Sequence, residues 1–312
     1  MNLRNTSIYV CTILAICYAC GSEKETAATI ETETSCIIDN SLDATVKPNR
    51  NDHTTDAFTT LYQENVTVAL REISVNQIPN HDYGAPSDKI SEVNKTFKVV
   101  INPTLANDKT LLLGDTKIEW IFGLALNGCK FDPGAAFPYT NTEDGTENWN
   151  WVLEGTTNAG QIGLDENQAH LQANGAYHYH GDFSGYASDV LSADGSKMVQ
   201  CGWAADGFPV YYKYAYTNAD DTSSAVRELK SSYQLKAGER PGDGISAPCG
   251  TYNGKYEQDY EYIAGAGDLD ACNGRTGVTP EFPAGTYYYV VTTDFPLIPR
   301  CFSGAPHPSF AF

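Results

Sequence analysis

Short runs that alternate β-branched or aromatic residues with polar ones, each closed by a Gly- or Pro-containing turn signal, fill the chain from about Leu61 onward. A period of two sends successive side chains to opposite faces, which suits a half-buried strand and not an amphipathic helix. Residues 65–70, 97–101 and 286–291 form such runs. Residues 209–216 put Val210, Tyr212, Tyr214 and Tyr216 on one face. Residues 256–262 put Glu257, Asp259 and Glu261 on one face, read as a solvated edge, with tyrosines on the other. Asn127-Gly128, Asp132-Pro133-Gly134, Asp206-Gly207, Pro241-Gly242-Asp243-Gly244 and Asn253-Gly254 supply the turns. Twenty Tyr and 27 Gly against two Met reinforce the strand-and-turn reading. The expected fold is mostly β: a single large antiparallel β-sandwich or barrel-like domain with few short helices, covering residues 61–312.

Residues 1–20 read as an export signal. Arg4 precedes the apolar stretch Ile8–Ile16, which is too short to cross a bilayer. Ala19-Cys20 then resembles a lipoprotein processing site, so Cys20 is the expected lipidation site and the membrane the expected partner. Ordinary cleavage after Ala19, giving a secreted protein, is the alternative. Residues 21–60, rich in Thr, Glu, Ser, Asp and Asn, read as a tether, with Cys36 as a point where it is pinned to the body. Beyond Cys20 there are six cysteines, Cys36, Cys129, Cys201, Cys249, Cys272 and Cys301, and an even set in an oxidising compartment predicts up to three disulfides. No two of them form a C-x-x-C pair, which disfavours a thiolate zinc knuckle. A net charge of −19 without a clustered Lys/Arg surface argues against nucleic acid as a partner.

Three of the six histidines, His170, His178 and His180, fall within eleven residues around Asn174-Gly175. On a strand, His178 and His180 share a face roughly 7 Å apart, and a hairpin at Asn174-Gly175 brings His170 alongside. Register decides the outcome. A two-residue loop sets His170 opposite Tyr179 and turns it away from the pair. A three-residue loop sets it opposite His180, with all three imidazoles on one face. Three histidines and an open position suit Zn or Cu.

Other candidates are weaker. Asp182 and Asp206 are candidates for partners that orient a ligand histidine, or, each standing next to a glycine, for simple turn residues. Arg275 and Arg300 can grip a substrate carboxylate or phosphate, or form internal salt bridges. Asp268, Asp270 and Asn273 are oxygen donors for Ca²⁺, or a hydrogen-bonded turn; they do not match an EF-hand loop. There is no G-x-S-x-G elbow, H-E-x-x-H, P-loop or dinucleotide fingerprint.

Tyr177-His178-Tyr179-His180 after Asn174-Gly175 resembles the signature of the YHYH family of exported proteins. Ile78-Pro79-Asn80-His81, the run 123–128, Asp206-Gly207-Phe208-Pro209-Val210-Tyr211, the runs 231–235 and 259–262, and the stretch from Gly267 to Arg275 and on to Cys301 resemble further blocks of that family in the same order. Tyr212 and Tyr288 depart from its usual residues. The resemblance implies export and a single domain over about 73–304, and it adds His81 as a candidate fourth ligand. It brings no established reaction. The resulting expectation is a histidine-cluster transition-metal site on an extracytoplasmic protein, with metal binding alone or metal-dependent catalysis on an extracellular small molecule. The alternative is a metal-free surface module for glycans, with histidines and tyrosines lining its cleft.

Overall fold

The structure, a computed structural model, describes residues 36, 38–50, 58–84 and 89–312. The signal, the lipidation site Cys20 and the first part of the tether lie outside the described residues. The fold is mostly β with a few short helices. Its centre is an eight-stranded sheet. In spatial order the strands are Gly274–Gly277, Thr286–Val291, Pro209–Tyr212, Gln200–Ala204, Gly123–Ala125, Lys130–Phe131, Tyr177–Tyr179 and Ala169–Leu171. Most pairs are antiparallel, but Lys130–Phe131 runs parallel to Tyr177–Tyr179, and Pro209–Tyr212 parallel to Thr286–Val291. The sheet is therefore mixed rather than antiparallel throughout.

A three-stranded antiparallel sheet, Tyr62–Val66, Leu70–Val75 and Lys95–Val100, supplies Ile73, Val75, Phe97 and Val99 to the main core. There they join Leu124, Phe131, Tyr177, Tyr179 and Tyr289 of the central sheet. Thr286–Val291 shows how alternation works when both faces are covered. Tyr287, Tyr289 and Val291 enter the main core, while Tyr288 and Val290 enter a second cluster with Met198, Tyr211 and Leu229. Burial on both sides removes any need for polar residues along that strand.

Three strand expectations change in the folded chain. Residues 65–70 hold a turn, not a continuous strand: Thr67 Oγ1 accepts from the Leu70 amide at 3.0 Å, and the two strands flank it. The run 209–216 breaks at Lys213, whose φ of 53° is left-handed, so Tyr214–Tyr216 leaves the central sheet and pairs with Val226–Glu228. Glu257–Asp259 is a turn of 3₁₀ helix, and only Tyr260–Tyr262 is a strand. The acidic face expected there does not exist. Asp259 is fully buried, Glu257 lies against Arg300, and Glu261 alone is exposed.

Among the described residues two disulfides form, Cys36–Cys249 and Cys272–Cys301, while Cys129 and Cys201 are buried free thiols. Cys201 belongs to a strand on one side of Gly123–Ala125, and Cys129 enters the strand on its other side. Two strand spacings, roughly 9–10 Å, exceed what a disulfide bridges. Paired cysteines fit an oxidising, extracytoplasmic setting. Among the described residues no helix is long and apolar enough to cross a membrane.

The end of the expected tether belongs to the body. Cys36 is bonded to Cys249, Lys255 Nζ donates to the Asp39 and Ser41 carbonyls, and Lys47 bridges to Asp165. Arg240 organises this corner. Its Nε and Nη2 donate to both oxygens of Asp259 at 2.7 Å, with both side chains fully buried, and its Nη1 donates to Asn40 Oδ1. Removing the arginine leaves the buried Asp259 carboxylate without its counter-charge, held only by the amides of Asn253, Gly254 and Tyr256. Arg240→Ala is expected to lower stability by about 3–5 kcal/mol in denaturant unfolding; a loss below about 1 kcal/mol contradicts this role.

Candidate metal centre

The hairpin that carries the histidines closes through a three-residue loop. The Gln172 amide donates to the Ala176 carbonyl at 2.8 Å, leaving Ala173, Asn174 and Gly175 as the loop. Gly175 adopts φ 88°, and a Cβ there would lie 2.7 Å from the Ser91 amide nitrogen, so glycine is required on both counts. This register sets His170 opposite His178, and the His180 amide donates to the Gln168 carbonyl at 2.8 Å. It is displaced by two residues from the three-residue register expected above. Parity is unchanged by two, so all three imidazoles still share one face.

The next strand extends that face. Parallel pairing sets Lys130 beside His178, and the Asp132 amide donates to the Tyr179 carbonyl, which carries Asp132 alongside His180. On the opposite face Tyr177 and Tyr179 enter the main core. The alternation Tyr-His-Tyr-His thus sends aromatic rings inward and imidazoles outward.

The three Nε2 atoms converge. His180 Nε2 lies 3.0 Å from that of His178 and 3.2 Å from that of His170, and the three ligand atoms fall within 4.8 Å of one another. Metal–nitrogen bonds of roughly 2.0–2.1 Å at tetrahedral angles separate ligand atoms by roughly 3.3 Å, so the spacing of His180 to its two neighbours fits an ion. The outer nitrogens help fix the rings. His170 Nδ1 meets the Ile162 carbonyl at 2.8 Å, and a neutral ring donates there from Nδ1 and keeps its Nε2 lone pair free. His180 Nδ1 faces the Pro133 carbonyl at 3.5 Å, a longer contact. His178 Nδ1 is buried without a hydrogen bond of good geometry, the Ala176 carbonyl acting on it only weakly.

Burial pushes the pKa of all three imidazoles down, and for His178 and His180 well below the ordinary value. Desolvation is the main cause, and the neighbouring imidazoles add to it at His178 and His180. Neutral imidazole is the metal-binding form. In the neutral rings the 3.0 Å contact between the His178 and His180 Nε2 atoms is a hydrogen bond whose direction depends on the tautomer, and an ion held by the three Nε2 atoms would take the place of that proton.

The family model described as YHYH protein matches residues 96–304. The chain belongs to the YHYH family. No curated protein and no solved structure matches it.

His170, His178 and His180 line a cleft of about 700 Å³. Ile118, Ala135, Phe137, Ile162 and Leu171 give it an apolar wall, with Trp149 and Phe312 also lining it. Two residues that reading of the sequence missed stand beside the motif. Asp132, seen there only as part of a turn, lines the cleft and is 4% exposed. Burial raises its pKa to about 6, against the opposing pull of Lys130 and Arg300. Lys130 is also buried, and its Nζ donates to Gln172 Oε1 at 2.6 Å. The signal was the i, i+2 spacing of Lys130 and Asp132, which marks one strand face.

Other expected site residues lie elsewhere in the fold. His81 sits on the far face of the motif strand: its Nε2 is 2.6 Å from the Tyr179 hydroxyl, and its ring packs on Tyr177 and Tyr179. It does not join the three-histidine group. Asp182 accepts from the Tyr212 hydroxyl and Lys213 Nζ rather than from a histidine. Asp206 accepts from the Tyr289 hydroxyl and the Gly304 amide. Arg275 is on the opposite edge strand of the sheet, donating to the Tyr288 hydroxyl and the Tyr216 carbonyl. Arg300 pairs with Glu154 at 2.7 Å and approaches Glu257, the internal salt bridge that was its other reading. The calcium donors do not converge. Asp268 pairs with Arg227, Asp270 accepts from the Cys272 and Gly274 amides, and Asn273 Nδ2 donates to the Val290 carbonyl. They form the hydrogen-bonded turn.

Burial raises Asp206 from 3.8 to about 6, so folding favours its neutral form. Its contribution is full below about pH 4 and is lost as pH rises through about 6. Asp206→Asn is expected to remove about 3 kcal/mol of the fall in stability across that window. Unfolding free energies of both proteins from pH 4 to 7 check this, and parallel curves contradict it.

Proposed function

We propose that this YHYH protein binds one transition-metal ion, Cu or Zn, through His170, His178 and His180, and presents it to an extracellular small molecule in the adjoining cleft. The observation that carries this reading is the convergence of three buried Nε2 atoms within 4.8 Å. An all-imidazole set suits these two metals. Three protein ligands leave a position free, as catalytic zinc sites do, whereas structural zinc takes a fourth protein ligand. Bound there, such an ion would polarise a water or substrate oxygen as a Lewis acid. The residues of the chain do the rest: the carbonyls of Ile162 and Pro133 orient two rings, and the apolar wall restricts water. Metal-free glycan binding is the competing reading, favoured by the rings of Phe137, Trp149 and Phe312 around the cleft.

The test is metal content. The chain from residue 21, made through an oxidising compartment, is expected to hold close to one equivalent of Cu or Zn by elemental analysis. Loss of an outer partner of a ligand costs roughly 10–100-fold in affinity, so His178→Ala/His180→Ala should lose more than that. No metal in either protein after reconstitution contradicts the proposal and sends the cleft to glycan arrays.

The same reading places the protein outside the cytoplasm, held to a membrane through Cys20. Cys20→Ser is expected to move it from the membrane fraction to the soluble one. Unchanged fractionation contradicts the anchor.

A further inference from the structure

The cleft contains a carboxylate that its fold does not use. Turn aspartates ordinarily accept from backbone amides two residues on. Asp132 opens an Asp-Pro-Gly turn yet takes no such bond: its one side-chain hydrogen bond among the described residues is a long one, 3.4 Å from Gln172 Nε2 to Oδ2. The nearest lysine on its own strand, Lys130, is committed to Gln172 Oε1 at 2.6 Å. Arg300, which acts on Asp132 electrostatically, is itself bonded to Glu154. A carboxylate 4% exposed, lining a cleft and short of partners, costs stability unless something else satisfies it. Parallel pairing places it alongside His180, on the face that carries the three imidazoles.

We propose that Asp132 accepts a hydrogen bond from the molecule at the coordination position the three imidazoles leave free, and thereby selects neutral ligands bearing an O–H or N–H group over anions. This rests on the metal reading above. The selected ligand class has a donor group at one end and an apolar face at the other. The donor end meets Asp132, and the apolar face meets Ile118, Ala135, Phe137 and Leu171. A cleft of about 700 Å³ suits a molecule of drug-like size. An anion at the same position faces the Asp132 carboxylate in a low-dielectric wall, a like-charge repulsion that works against the pull of Lys130 and Arg300 and that is removed when Asp132 is neutral.

The experiment uses the chain from residue 21 reconstituted with Co²⁺ as a spectroscopic probe, with azide as the test anion. Metal content is measured first, then azide affinity at fixed pH from the visible spectrum. Wild type, Asp132→Asn and Asp132→Ser are compared, the serine guarding against an effect peculiar to the amide. All three are expected to hold one equivalent of Co²⁺, and both variants to bind azide roughly tenfold or more tightly than wild type. Equal azide affinity in wild type and variants, at equal metal content, overturns the role of Asp132 and leaves the metal site standing. Loss of Co²⁺ from the variants alone also overturns it, because Asp132 would then be needed to hold the metal. No Co²⁺ in wild type overturns the metal reading itself.

Discussion

Where three imidazoles end up is decided by how Ala169–Leu171 pairs with Tyr177–Tyr179. A strand presents alternate residues to opposite faces, so a shift of one residue would scatter the histidines and a shift of two would not. The Ala173-Asn174-Gly175 loop holds the register through the left-handed Gly175, packed too closely on Ser91 to carry a side chain. The core holds it from the other side. Tyr177 and Tyr179 are fully buried, and sliding the strand by one residue would expose their rings and bury imidazoles in their place. Site and core are therefore two faces of one constraint.

That constraint also explains why the site is polar in a buried place. His178, His180, Lys130 and Asp132 are all nearly inaccessible, and together they would be costly in a core. They are tolerated because the edge of the sheet opens onto a cleft here. Partial neutralisation by burial, seen in the lowered histidines and the raised Asp132, reduces the cost further. What remains is a set of converging imidazole nitrogens, tied to one another by hydrogen bonds that an ion would replace.

Much of this was legible before folding, because period-two alternation and turn residues are local signals. The hairpin, the common face of His178 and His180 and the mostly β class follow from spacing, whereas the side His170 takes depends on the loop length, which the folded chain shows to be three residues. The parts that were not legible depend on contacts between distant segments. Nothing in 256–262 reveals that Arg240 will bury Asp259, so an acidic stripe looked like a solvated edge. His81 is near the motif in space but behind it, a distinction only tertiary packing makes. Asp132 was hidden by an ordinary turn signature, and its placement beside His180 comes from a parallel pairing across nearly fifty residues. Lys213 breaks a promising strand by a backbone conformation that its sequence does not advertise.

The claim at the centre is that three imidazole nitrogens hold one ion and leave a position free. X-ray absorption at the edge of whichever of Cu or Zn the protein retains reads the donor set directly. Three imidazole nitrogens at roughly 2.0–2.1 Å with one further light oxygen or nitrogen donor is the expected result. A sulfur scatterer near roughly 2.3 Å, or a shell with no imidazole signature, would contradict it.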